Sequence, residues 1–172
     1  MKKDEIIKFI ENVLLAEGCL KQPAINDQVY DFELKNKCII PVDLLFLLKI
    51  TNGFDFKLVR FWPLNEYKSL SRFFTEDESK VFYTDYRKNQ LPEEGAGLLF
   101  DSEGKWLLKE QEFYFIFSDY NIESSFWAIN LSEGETNNVI CVYVSQNAYR
   151  NVANSLSEFI EIFNSQGLEF LI

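Results

Sequence analysis

Apolar and polar positions alternate with a helical period through the N-terminal part of the chain. Between residues 4 and 17, five aliphatic side chains fall on one side of a predicted helix: Ile6, Ile7, Ile10, Val13 and Leu14. Gly18 ends this helix. A second helix runs to about Lys37 from a cap at Asn26 or Asp27, because these side chains accept hydrogen bonds from the free N–H groups of a helix start.

A third predicted helix begins at Pro41, where the missing N–H of proline costs nothing. Its centre, Leu44–Leu48, is apolar on most sides, so we expect this helix in the middle of the core. Asn52 and Gly53 end it, since both residues tolerate the left-handed conformation that is common at helix C-termini.

Beyond Gly53 the pattern favours strands. Charged and apolar residues alternate over residues 56–62, which predicts one strand. Residues 70–77 predict a short helix or an irregular segment. Residues 80–95 are the least informative part of the chain and include a predicted loop at 91–95.

A hairpin and three further strands are predicted in the C-terminal half. Residues 97–100 and 105–109 pair around a turn at 101–104. Polar turns at 119–121 and 132–135 separate the further strands. These strands cover residues 113–118, 125–131 and 139–145.

One more helix is predicted near the C-terminus. Ser155 and Glu158 have the spacing of a capping box, and Gly167 closes the helix. Its apolar positions are Leu156, Phe159, Ile160 and Phe163. Helices followed by a strand meander and a last helix predict an α+β fold, in which N-terminal helices and one C-terminal helix flank a mostly antiparallel sheet. The length of 172 residues fits a single domain over residues 1–172.

The net charge of −10 bears on the kind of partner. A nucleic acid would be repelled by this average field, and no run of Lys or Arg provides a local exception, so we expect no direct nucleic-acid binding. A basic protein would be attracted to it. The alternative is that the acidity serves only to keep the protein soluble.

The absence of histidine restricts the possible chemistry. It removes Ser-His-Asp and Cys-His catalysis and His-ligated zinc. Cys19, Cys38 and Cys141 lack metal-ligand or redox spacing, so we expect buried free thiols, no metal and no cofactor. The N-terminus has no signal-peptide pattern, and the longest apolar run, Leu44–Leu48, is too short to cross a bilayer. These features predict a cytoplasmic protein without a membrane partner.

Paired carboxylates are the one catalytic arrangement left open, and acidic residues at turns more commonly serve solubility and turn formation. The candidate pairs are Glu93/Glu94, Asp101/Glu103 and Asp119/Glu123. Residues 101–104 also have a superficial likeness to a calcium loop, whose remaining ligand positions are unfilled.

Aromatic residues crowd the stretch after the third helix. They are Phe54, Phe56, Phe61, Trp62, Tyr67, Phe73 and Phe74. Core packing explains most of them. The alternative is that some are exposed on the sheet as anchors for a protein partner.

Residues 33–53 resemble the opening signature of the SUKH superfamily, which includes fungal cell-wall-assembly regulators and many bacterial immunity proteins. The family pattern is an acidic residue, an apolar-Pro pair, an apolar helix and a terminal Asn-Gly. Glu33, Pro41, Asn52 and Gly53 match it in order and spacing, with Ile40 in place of the more usual Leu. Similar later segments are residues 61–66, 115–119, 126–130 and 153–159, whereas residues 70–110 show no clear correspondence.

The resemblance implies an intracellular, non-catalytic protein-binding domain. Bacterial members typically neutralise a toxin, so we expect an immunity protein that occludes a toxin domain, such as a basic nuclease. The alternative is a regulatory scaffold in signalling or envelope assembly. Glu33, Pro41, Asn52 and Gly53 are expected to define the fold rather than contact the partner. The expected binding residues are Phe54, Asp55, Trp62, Glu66, Asp119 and Trp127.

Overall fold

Five α-helices form in the part of the chain that the computed structural model describes, which comprises residues 3–76, 96–101, 103–120, 125–133, 136–143 and 146–167. The helices are α1 (Lys3–Leu15), α2 (Asn26–Asn36), α3 (Val42–Ile50), α4 (Leu70–Glu76) and α5 (Leu156–Gln166). A 3₁₀ turn covers Leu64–Glu66. Within the described ranges, none of these helices is long and apolar enough to cross a membrane.

Nine strands within the described residues pair in one antiparallel sheet. They are β1 (Cys19–Leu20), β2 (Phe54–Phe56), β3 (Val59–Phe61), β4 (Lys68–Ser69), β5 (Gly97–Leu98), β6 (Tyr114–Tyr120), β7 (Ser125–Asn130), β8 (Val139–Tyr143) and β9 (Ala148–Ala153). Their order is β1-β2-β3-β6-β7-β8-β9-β5, and β4 pairs with β6 beside β3. The α+β fold, with N-terminal helices and one C-terminal helix around an antiparallel sheet, is therefore confirmed.

The first helix is anchored to the sheet by one aromatic side chain. Phe9 is fully buried, and its ring lies 5.5 Å from that of Phe54 and 4.9 Å from that of Phe163 on α5. The predicted apolar side of α1 was partly wrong, because Ile7 and Leu14 are exposed and Phe9 takes the core position. Rings at these separations in edge-on geometry add to the burial energy of the core.

The cap residue of α2 lies one position before the predicted caps. Ile25 is the cap residue, and its backbone N–H donates to the side-chain oxygen of Gln28 at 3.0 Å. The prediction of a cap at Asn26 or Asp27 was wrong, because the side-chain amide of Gln28, in the first turn of the helix, accepts the hydrogen bond from the backbone N–H of Ile25 instead. The helix ends at Lys37, which adopts a left-handed conformation, and this agrees with the predicted end at about Lys37.

The backbone conformation at the C-terminus of α3 differs from the predicted one. Thr51 is extended, with φ −152°, and only Gly53 of the Asn-Gly pair has a positive φ, of 98°. A Cβ on Gly53 would lie 2.7 Å from the carbonyl oxygen of Phe61, so glycine is also required for close packing. Asn52 is buried, and its side-chain oxygen accepts a hydrogen bond from the N–H of Leu64 at 2.7 Å.

Several strand predictions need correction. Residues 56–62 are not one strand, because Lys57 adopts a positive φ and the chain turns back between β2 and β3. The predicted hairpin at 97–109 is not a pair of regular strands: its arms share the Phe100–Trp106 bridge and a few backbone hydrogen bonds, such as that from the N–H of Leu107 to the carbonyl of Leu99 at 2.7 Å. Strand β5 pairs instead with β9. Strand β9 was not predicted, since Ala148–Ala153 mixes polar residues among small apolar ones.

The strands predicted at 113–118, 125–131 and 139–145 correspond to β6, β7 and β8. Strand β6 runs further than predicted, because Asp119 and Tyr120 belong to it and not to a turn. The predicted short helix at 70–77 is α4. The predicted loop at 91–95 lies outside the described residues.

The N-terminus of the last helix is held by the predicted capping pair, Ser155 and Glu158, and by a second acid, Asp43. The Ser155 hydroxyl accepts from the N–H of Glu158 at 3.1 Å, and the Glu158 carboxylate accepts from the N–H of Asn154 at 2.7 Å. In addition, buried Asp43 from α3 accepts from the N–H and the hydroxyl of Ser157 at 2.9 and 3.1 Å. This carboxylate links α3 to the N-terminus of α5, and a helix N-terminus is a position where negative charge is favoured.

We predict that Asp43→Ala lowers the free energy of unfolding by about 2 kcal/mol, because two buried donors of Ser157 lose their acceptor. Urea denaturation followed by tryptophan fluorescence measures this change. The matched control is exposed Asp31→Ala on α2, which is expected to cost less than about 0.5 kcal/mol. Equal losses in the two variants would contradict the bridging role of Asp43.

The three free cysteines differ in accessibility. Cys38 and Cys141 are buried, as predicted, whereas Cys19 is exposed, contrary to the prediction. Burial raises the pKa of Cys38 to about 11, helped by the negative charge of Glu33, and burial also raises the pKa of Cys141 to about 11. Both thiols are therefore neutral and poorly nucleophilic near pH 8.

We predict that a thiol reagent at pH 8 modifies Cys19 rapidly and reaches Cys38 and Cys141 only on unfolding. In the unfolded chain these two thiols ionise near their ordinary pKa of 9.0. Their contribution to stability is thus complete below that pH and is lost as the pH rises toward about 11. Rapid labelling of all three thiols in the folded protein would contradict this assignment.

Candidate interaction site

A row of charged side chains crosses the edge of the sheet on one face. Asp55 on β2 lies directly opposite Arg60 on β3, and Arg60 lies directly opposite Asp119 on β6. Directly opposed residues of antiparallel strands project from the same face, so the arginine stands between two carboxylates. The row continues inward through Phe126 and Val142, where the sheet face becomes apolar.

A third carboxylate reaches the same arginine. The guanidinium of Arg60 forms a salt bridge with Glu66 from the 3₁₀ turn. Both side chains remain partly exposed, at 44% and 42%, so this ion pair is screened by solvent and adds little to stability. The guanidinium carbon also lies 5.9 Å from the ring centroid of Trp62. The arginine is thus held in place by an acid on one side and an aromatic ring on the other.

Trp62 and Asp119 form a buried polar pair beneath this surface. The indole Nε1–H donates to the Asp119 carboxylate, and the two residues are only 7% and 5% exposed. The Trp62 ring packs edge-on against Phe126 at 6.0 Å, and its backbone N–H donates to the Phe117 carbonyl at 2.8 Å. A buried tryptophan requires a partner for its N–H, and this partner is the carboxylate of the charged row.

We call Asp55, Arg60, Trp62, Glu66 and Asp119 the acidic corner. Three carboxylates surround one guanidinium, so the corner carries a net negative charge of two at neutral pH. Asp55 and Arg60 are exposed and Glu66 is half-buried, so these three side chains are open to solvent. Trp62 and Asp119 fix the surface from below.

Two of the six predicted binding residues lie elsewhere. Phe54 is fully buried against Phe61, with ring centroids 4.2 Å apart, on the face covered by α1. Trp127 is 1% exposed and packs against Phe159 of α5. The structure brings together Asp55, Trp62, Glu66 and Asp119, but it leaves Phe54 and Trp127 in the core.

Arg60 was missing from the predicted site. Its sequence signal is an alternating position between Val59 and Phe61, which indicates an outward-facing strand residue but no partner. Its opposition to Asp55 follows only from the two-residue turn of the β2–β3 hairpin, which was predicted to be a continuous strand. A one-residue change of register would place the arginine on the opposite face.

The predicted carboxylate pairs are only partly described. Glu93, Glu94 and Glu123 lie outside the described residues. Asp101 accepts from the N–H groups of Lys105 and Glu103 at 2.8 and 2.9 Å, and these backbone hydrogen bonds lower the pKa of its carboxyl. This carboxylate therefore shapes the turn at 101–104. Among the described residues, no group of three or more Cys, Asp or Glu side chains could hold a metal ion.

The SUKH-like signature residues make internal contacts. The Glu33 carboxylate accepts from the N–H of Ile40 at 2.8 Å, which closes the connection between α2 and α3. Pro41 is the cap residue of α3, and Asn52 and Gly53 form the junction described above. These contacts agree with the expected fold-defining role of the signature.

Comparison with known proteins identifies the family. A search of curated protein sequences gives no match. The sequence model of the SMI1 / KNR4 family (SUKH-1) matches residues 23–162, which include α2 to α4, the first part of α5 and the strands β2 to β9. This range contains both the signature and the acidic corner. The chain belongs to the SMI1 / KNR4 family (SUKH-1).

Proposed function

We propose that this protein is a non-catalytic immunity protein of the cytoplasm, which binds a toxin domain and neutralises it by covering its active site. The observation that carries the proposal is the acidic corner, where exposed carboxylates surround a fixed arginine on the rim of the sheet. Membership of a SUKH family supports a protein-binding role.

The electrostatics favour a basic partner. The net charge of −10 attracts a basic protein over a distance, and the corner adds locally three carboxylates against one guanidinium. A nuclease toxin has a basic active-site cleft, because it must bind a polyanion. Exposed Asp55 and half-buried Glu66 would take the place of phosphate groups in such a cleft.

Preorganisation of the corner also supports binding. Strand pairing with Asp119 positions the Arg60 backbone, and the Trp62 ring and Glu66 contact its guanidinium, so few rotamers would be lost when a partner covers the surface. The indole and the guanidinium are the side-chain types that most often dominate protein interfaces. Here Arg60 is the exposed member, and Trp62 supports it from below.

We predict that the double charge reversal Asp55→Lys/Glu66→Lys weakens binding to the toxin domain encoded beside its gene by more than about tenfold, chiefly through a slower association rate. Biolayer interferometry at two salt concentrations measures both rates. The matched control is Glu11→Lys/Glu103→Lys, which changes the net charge equally at exposed positions outside the corner. Protection of cells that express the toxin should be lost in parallel.

Two results would contradict the proposal at different levels. Equal weakening by the two double variants would show that only net charge matters and that the corner is not the contact. Failure of the native protein to bind the neighbouring gene product, or to protect cells from it, would exclude the immunity role. A regulatory scaffold of the same family would then be the remaining candidate, and its gene would lie away from toxin genes.

A further inference from the structure

A groove of about 370 Å³ lies between α2 and the segment that joins the 3₁₀ turn to α4. Phe32 and Leu64 form apolar parts of its wall, and Tyr67 stands beside Phe32 with ring centroids 6.0 Å apart. The groove touches the acidic corner only through Glu66, whose charge is matched by Arg60. A volume in this range suits a small ligand.

Tyr67 contributes a buried aromatic side chain with a hydroxyl group to the lining of this groove. The residue is 8% exposed, and its hydroxyl has no hydrogen-bond partner among the described residues. Burial raises the pKa of this phenol, so it is a neutral donor at all physiological pH values. A buried tyrosine hydroxyl normally has a partner, so a tyrosine that lines a groove and lacks one within the described residues is a candidate donor to a ligand.

Two lysines line the same groove as Tyr67, one from each wall. Lys35 projects from α2 and Lys68 from β4, and neither forms a salt bridge within the described part of the chain. The groove also contains Arg72, which has a partner of its own, and Asp31, the one carboxylate in it besides Glu66. The unmatched charge of the groove is therefore positive, in a protein whose net charge is −10.

We propose that this groove binds a small phosphorylated molecule, with its phosphoryl group on Tyr67, Lys35 and Lys68 and a flat apolar part on Phe32 and Leu64. Three donors on two walls match the several free oxygens of a phosphoryl group better than the two of a carboxylate. Lysine ammonium groups bind phosphate as point charges, and aromatic walls accommodate planar groups. The ligand would bind beside the acidic corner, independently of the proposed toxin.

The test is a titration of the ¹⁵N-labelled protein with three probes at constant ionic strength. Adenosine monophosphate carries both the phosphoryl group and a planar ring, ribose 5-phosphate carries only the former, and adenosine carries only the latter. We expect saturable shifts of backbone amide signals in residues 28–36 and 64–72 with adenosine monophosphate, weaker binding of ribose 5-phosphate, and none of adenosine. Absence of saturation by either phosphate below about 10 mM would overturn the proposal.

Single substitutions distinguish a built site from general charge attraction. Tyr67→Phe keeps the ring and is expected to weaken adenosine monophosphate binding about tenfold, because one hydrogen bond to a charged group is lost. Lys35→Ala and Lys68→Ala should each weaken it about fivefold, and Asp31→Asn should strengthen it by a similar factor. Lys8→Ala, at an exposed position on α1, should leave it unchanged.

Thermal unfolding of each variant separates lost binding from lost folding, since Tyr67→Phe removes only the hydroxyl group, keeps the ring packing and should unfold like the native protein. Native affinity in folded Tyr67→Phe, or an equal effect of Lys8→Ala and Lys35→Ala, would overturn the assignment. A saturable shift with inorganic phosphate alone at the same affinity as adenosine monophosphate would overturn the part played by Phe32 and Leu64.

Discussion

The junction after α3 determines where the rest of the exposed surface lies. Gly53 combines a positive φ with backbone contacts that leave no room for a side chain, and Asn52 ties the same point to the start of the 3₁₀ turn at Leu64. These contacts hold the beginning of β2 against the end of β3. Asp55 and Glu66 each lie a few residues from this junction, so buried Asn52 and Gly53 determine where the acidic corner lies.

The polar side chains of the signature segment form hydrogen bonds within the fold, so they are separate from the proposed contact surface. Glu33 satisfies Ile40, Asn52 satisfies Leu64, and Asp43 on α3 satisfies Ser157. Each of these acceptors is bound to a donor of the fold, and leaving that donor bare and buried would be costly. The proposed contact surface instead uses exposed side chains such as Asp55 and Arg60.

Local sequence patterns predicted the helices and the long strands, but they did not predict which strands pair across the sheet. The helices have strong periods or clear ends, and Ser155 with Glu158 marks the last one. The β2–β3 turn rests on a left-handed Lys57, an unusual residue for that conformation, so its sequence resembles a continuous strand. Phe54 and Asp55 are neighbours in the sequence but project from opposite faces, which explains why only one of them belongs to the corner.

Hydrogen–deuterium exchange on the complex with the neighbouring gene's toxin domain tests the central claim most directly. If the acidic corner is the contact, exchange should slow in residues 54–66 and 118–120 relative to the free protein. Helices α1 and α5, which lie on the opposite face, should exchange as before. Protection confined to those helices, with residues 54–66 unchanged, would contradict the account.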